Sequence, residues 1–184
     1  MSFTQGIVRI GFLMALFMLP TNAQAGIMEL SGNFSYSQSN FGNGGFSWSR
    51  RYGASIGYYF LALSEIEFSV QDIVYKTGFN DSEFTNFHDQ IYSVDWVQSL
   101  SPKSSGFQPY FKLGIGQLNR ESSSSGSTSS VIYDSLTGVA GAGLRIFILN
   151  FLSIKGECTS YLVGGAISTA KDNLAFNAGI SFYF

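Results

Sequence analysis

The sequence offers few residues for catalysis, and their spacing limits them further. Its one histidine, His88, lies in FHDQIYS with Asp89 beside it and Ser93 and Asp95 a few positions on. A serine nucleophile needs its base within hydrogen-bond reach, about 2.6–3.2 Å. Here Tyr92, Val94 and Trp96 alternate with Ser93 and Asp95, which is the period of a strand with unlike faces. On such a strand His88 falls on the face opposite Ser93, so it reads as a rim residue rather than a base. Cys158 is the only cysteine; it excludes an intramolecular disulfide and reads as a small apolar side chain. One histidine without paired cysteines does not build a transition-metal site. EF-hand and phosphate-loop patterns are absent, and no cofactor is expected.

A second set of residues carries more information: Arg51, Glu67, Asp95, Lys112, Arg145, Lys155 and Glu157. Each belongs to the more polar row of an alternating stretch. All but Arg51 fall in the half of their stretch nearest a short connection. Charges of both signs, gathered in a low-dielectric interior, must pair with one another. The chemistry implied is a structural plug, or else a gate or narrow polar pore.

The elements that would hold these charges are eight alternating stretches. The first covers about 27–37, with Met28, Leu30, Phe34 and Tyr36 in phase, and the second 46–60, with Trp48, Tyr52, Ile56 and Tyr58. The third carries Ile66, Phe68, Val70 and Val74, the fourth Tyr92, Val94, Trp96 and Leu100, and the fifth Pro109, Phe111, Leu113 and Ile115. Leu136, Ala140, Ala142, Leu144 and Ile146 mark the sixth, Leu152, Ile154, Cys158 and Leu162 a weaker seventh, and Leu174 to Phe184 the eighth. The links LALS, SPKSSG and LNF are short, whereas 37–45, 76–87, 119–130 and 163–172 read as longer polar loops. Meander strands with one short-turn end and one long-loop end describe an antiparallel up-and-down barrel. An even strand number puts both chain termini at the short-turn end.

Which row faces inward follows from size and charge. The apolar row is too bulky for an eight-stranded interior, which is only just wide enough for side chains. The other row holds Gly53, Gly57, Gly114, Gly116, Gly141, Gly143 and Gly179 and few charges, whereas a face in bulk water would carry more Lys and Glu. Apolar outside and polar inside is the arrangement of a membrane barrel. Composition agrees: 12% of residues are charged, about half the roughly 25% of soluble domains. The formal net charge is −2, and nothing suggests nucleic-acid binding.

Residues 1–25 have the layout of a secretory signal peptide: Arg9, an apolar run from Ile10 to Leu19, Pro20, then Ala23-Gln24-Ala25. The apolar run is too short for a membrane helix, which needs about 20 residues. The expected mature chain begins near Gly26, leaving one barrel domain over 26–184.

The terminal ISFYF, QPYFKLGIGQ and AGAGLRIFILNFLSIKGE together resemble the eight-stranded outer-membrane proteins of the OmpA-barrel and OmpX type, over the whole mature chain. The resemblance implies a bacterial outer-membrane location, periplasmic termini and a plugged lumen. It also implies that Ile180, Phe182 and Phe184 form the signal read by the barrel-assembly machinery. Expected partners are outer-membrane lipid and lipopolysaccharide, with the protein a monomer or weak dimer. The leading functional reading is a structural or adhesin-like surface protein, not an enzyme. A narrow channel like that of OmpW-like barrels is the alternative, weakened because the inward row reads as charged rather than greasy. Lipid A modification is a third class, but the His-x-Ser motif of PagL-type deacylases is missing. Arg50 and Arg51 together suggest a contact to lipopolysaccharide phosphate.

Overall fold

The computed structural model describes residues 28–40, 45–80, 83–124, 131–165 and 173–184. The segment expected to be a signal peptide, with Ala23, Ala25 and Gly26, lies outside these residues. Eight strands form a closed barrel in which each pairs with its sequence neighbours. They are β1 (Met28–Asn40), β2 (Phe46–Leu61), β3 (Ser64–Asn80), β4 (Glu83–Ser99), β5 (Phe107–Ser124), β6 (Val131–Leu149), β7 (Leu152–Val163) and β8 (Leu174–Tyr183). All pairings are antiparallel.

Closure explains the apolar row that runs through the last residues. β8 pairs with β7 and with β1, and the Met28 and Phe184 backbones exchange N–H···O bonds of 3.0 and 3.1 Å. The last strand is therefore an interior part of the wall, and its outer side chains meet the same surroundings as those of every other strand. Phe60, Phe107, Phe151, Phe182 and Phe184 are exposed around the short-turn end, in the manner of an aromatic girdle. The link between β4 and β5 holds a single 3-10 turn, Lys103–Ser105, closed by Gly106 at φ 72°. A left-handed backbone there favours glycine.

The strands reach further than the hydrophobic pattern indicated. Residues 76–80 and 83–87 are paired strand rather than loop, as are 119–124 of β5. The apolar alternation fades there while the backbone ladder continues. Cross-strand contacts take over: the Lys76 ammonium sits 3.9 Å from the Phe84 ring centroid, and the Tyr75 and Phe87 rings are 5.9 Å apart. β3 to β6 have 17 to 19 residues each, against 12 in β7 and 10 in β8. The wall is tall on one side and low on the other.

Inside, the glycine row makes room for large polar groups. A Cβ on Gly143 would run into the Tyr110 ring and hydroxyl, and one on Gly57 into the Glu65 carboxylate. Gly156, on the outer row, has open space. Gly143→Val should therefore destabilise the refolded barrel by about 1–3 kcal/mol through overpacking, and Gly156→Val should be neutral or stabilising. Urea unfolding of both variants in detergent or lipid, followed by tryptophan fluorescence, checks this pair.

Candidate functional site

The inward charges form a band near the short-turn end. Arg145 on β6 has no solvent exposure. Its Nη2 lies 2.9 Å from Glu29 Oε2 and 2.8 Å from Glu65 Oε2, and its Nη1 donates to Ser99 Oγ and Gln108 Oε1, each at 3.3 Å. The Tyr59 hydroxyl donates to Glu29 at 2.9 Å, and the Tyr110 ring lies 4.5 Å from the guanidinium carbon. From the turn below, the Lys103 ammonium packs over the rings of Tyr59 and Tyr183 at 4.1 and 4.2 Å.

Alongside this triad two lysines and two carboxylates alternate in a ring. Lys112 Nζ is 3.1 Å from Glu67 and 2.9 Å from Glu157; Lys155 Nζ is 3.2 Å from Glu67 and 3.6 Å from Glu157. Tyr110 and Thr159 each donate a hydroxyl hydrogen to Glu157. Asp95 stands 4.0 Å from Lys112 and accepts from Ser93 at 2.9 Å. Paired serines continue upward, Ser31 with Ser55 at 2.6 Å and Ser69 with Ser93 at 2.7 Å.

A second kind of lumen begins further along the same inward rows. Ile73, Ile91, Leu118, Val139 and Tyr161 pack together, buried, with Val163 against them. Beyond them a cavity of about 550 Å³ is lined by Arg51, Tyr75, Phe87, Asp89, Arg120 and Tyr161, among others. Arg120 grips Asp89 with two hydrogen bonds of 2.8 and 2.6 Å.

Six of the seven predicted charges therefore meet in one network, and Arg51 stands apart from it. Arg51 lies over the Tyr161 ring, 5.2 Å from its centroid, at the wall of the cavity. Two members escaped sequence reasoning. Glu29 sits between the outward Met28 and Leu30, and Glu65 stands two residues before Glu67; their parity was the available signal, obscured because both lie at the very start of a strand. The apolar layer escaped too, although Ile73 and Ile91 share the parity of inward residues. The lumen is charged in one part and greasy in another.

His88 and Ser93 are not brought together. His88 Nε2 bonds Asp72 at 2.8 Å on the outer face, whereas buried Ser93 serves Asp95 inside. The carboxylates of Glu29, Glu65 and Glu67 converge within 4.8 Å of one another, but each is already ion-paired, Glu29 and Glu65 with Arg145 and Glu67 with Lys112 and Lys155. Arg50 points outward, exposed, over the Tyr52 ring at 5.3 Å. Ile180, Phe182 and Phe184 are about half exposed on the outer wall.

The model of the outer membrane protein beta-barrel domain family matches residues 11–184. Among solved structures, the N-terminal barrel domain of Pseudomonas aeruginosa OprF aligns with a TM-score of 0.62 and 18% identity, over 88% of this chain and 100% of that one. Ail, the attachment invasion locus protein of Yersinia pestis, aligns at 0.55 with 17% identity, and Neisserial surface protein A at 0.57 with 12% identity; each covers 88% of this chain and 100% of its own. At these identities the likeness is one of fold. No curated protein matches the chain. With the family model spanning nearly its full length and an eight-stranded closed barrel turned apolar side out, the chain belongs to the outer-membrane β-barrel proteins and resides in a bacterial outer membrane.

Proposed function

We propose that the protein is a non-enzymatic, surface-exposed structural or interaction barrel with a plugged lumen. Its short turns and both termini face the periplasm, and its tall hairpins face the cell exterior. One observation carries the plug: Arg145, Glu67, Lys112 and Lys155 are at most 3% exposed and each is paired. A conducting lumen would keep such charges wet. Ions so enclosed are tolerated only with partners in good geometry.

The surface role rests on the hairpins. A membrane crossing takes about 9–11 tilted residues, and β3 to β6 have 17 to 19. The surplus is ordered strand beyond the bilayer, with Phe79, Ile132 and Tyr133 exposed on it. Exposed aromatic and aliphatic side chains on rigid strands suit partner binding. Two structural neighbours are, by name, an attachment protein and a surface protein.

The outward Ile180, Phe182 and Phe184 fit an assembly signal, since they are reachable before closure. Arg50, outward beside Tyr52, fits a lipopolysaccharide phosphate contact. Arg50→Ala should lower the lipopolysaccharide retained by purified protein; equal retention would remove that contact. The separate partners of His88 and Ser93 support the non-enzymatic reading. Mass spectra of lipid A should be unchanged by deletion or overexpression of the gene, and a shifted acyl pattern would overturn it.

The plug has a direct test. The refolded protein should be silent in a planar bilayer, while Arg145→Ala should lose about 3–5 kcal/mol of stability by stranding Glu29 and Glu65 and show openings. Stable openings in the parent would instead make the band a gate and the protein a narrow channel. An unfolding midpoint unmoved in Arg145→Ala would show that the network does not hold the lumen.

A further inference from the structure

The cavity above the apolar layer has the makings of a binding site that the plug does not require. Its volume, about 550 Å³, lies inside the roughly 300–1,000 Å³ of small-molecule sites. Its floor is apolar, with Ile73, Ile91 and Leu118 buried beneath it. Tyr75 and Phe87 supply tilted rings from adjacent strands. Such a surface takes a flat apolar body.

The charge of the cavity is uneven. Arg51, Arg120 and Asp89 are its charged lining groups, a balance of one positive charge. Both oxygens of Asp89 are taken by Arg120. Among the described residues none forms an ion pair with Arg51; it rests on Tyr161, and its Nη1 is buried without a hydrogen-bond partner. A buried N–H left unmade is costly. A carboxylate entering the cavity would meet this charge, and a turn of the guanidinium would satisfy the orphaned donor with a charge-assisted bond.

We infer that the cavity binds a small organic anion, a carboxylate on an aromatic or compact apolar body, with Arg51 as its anchor and the Tyr75–Phe87 wall and Ile73–Leu118 floor as its apolar seat. The alternation of β2 makes the discrimination sharp, because Arg50 and Arg51 differ by one residue and face opposite sides of the wall. One binds inside; the other cannot reach.

The test uses the full mature barrel refolded in lipid nanodiscs, with 2-naphthoate as the probe and equilibrium dialysis against empty nanodiscs as the readout. The parent should bind the probe saturably, and acetate at the same concentration should not compete. Arg51→Gln should weaken naphthoate by about tenfold or more, the scale of a lost charge-assisted bond, while leaving neutral 2-naphthylmethanol unaffected. Arg50→Gln should bind as the parent does. Ser49→Trp, which fills the cavity from its rim, should abolish binding of both probes; heat-modifiable migration on gels confirms that each variant is folded. Saturable binding that survives Arg51→Gln, or that falls equally in Arg50→Gln, would overturn the assignment, as would no binding by the folded parent. None of these outcomes depends on whether the lumen below conducts.

Discussion

Arg145 is the residue on which the interior depends. Its guanidinium has no solvent exposure, and the groups that hold it come from β1, β3, β4 and β5. Bringing such an ion out of water costs several kcal/mol even after relaxation, so its partners must be in place when the barrel closes. The rest of the lower lumen follows from that demand. Gly57 and Gly143 leave the volume that Glu65 and Tyr110 fill. Tyr110 in turn lies against the guanidinium and donates to Glu157, which links the triad to the lysine–carboxylate ring.

The same network fixes register. In a strand a shift of one residue exchanges the two faces. In this barrel it would place Glu29, Glu65 or Arg145 among lipid chains and an isoleucine or phenylalanine in a lumen with no room for it. Backbone pairing alone is indifferent to such a slip, because every ladder bond can re-form one step along. The charges are not indifferent. Five carboxylates, Glu29, Glu65, Glu67, Asp95 and Glu157, face three enclosed cations, Lys112, Arg145 and Lys155, with Lys103 closing the band from below. Small hydroxyl pairs such as Ser69 with Ser93 then fill the narrow space above without adding charge.

Much of this was legible in the sequence because the period of two survives wherever one face meets lipid. The eight strands, their order, the inward glycines and six network members all follow from it. Where the two environments stop differing, the signal stops too. Residues 76–80 and 83–87 carry Lys, Thr, Asn and Phe without alternation, so a paired hairpin reads as a loop. Glu29 and Glu65 were obscured for the opposite reason: each is the second residue of its strand, too close to the end for a period to declare itself. Ile73, Ile91 and Leu118 were hidden because an apolar residue on the inward row looks like a break in the pattern rather than a second layer.

The contrast between two inward arginines separates stability from binding. Arg145 is matched to acids borne by other strands, and its removal would leave Glu29 and Glu65 buried without their common cation. Arg51 rests on an aromatic ring, and the acid nearest its cavity already serves Arg120. Its removal breaks no ion pair among the described residues. A cation that forms no ion pair among the described residues, set in a concave wall of aromatic and apolar groups, is placed for something that arrives from outside. The apolar layer of Ile73, Ile91 and Leu118 then has two roles. It borders the charged band, and it gives the outer cavity a floor, so that a charged network and a binding site can share one narrow barrel.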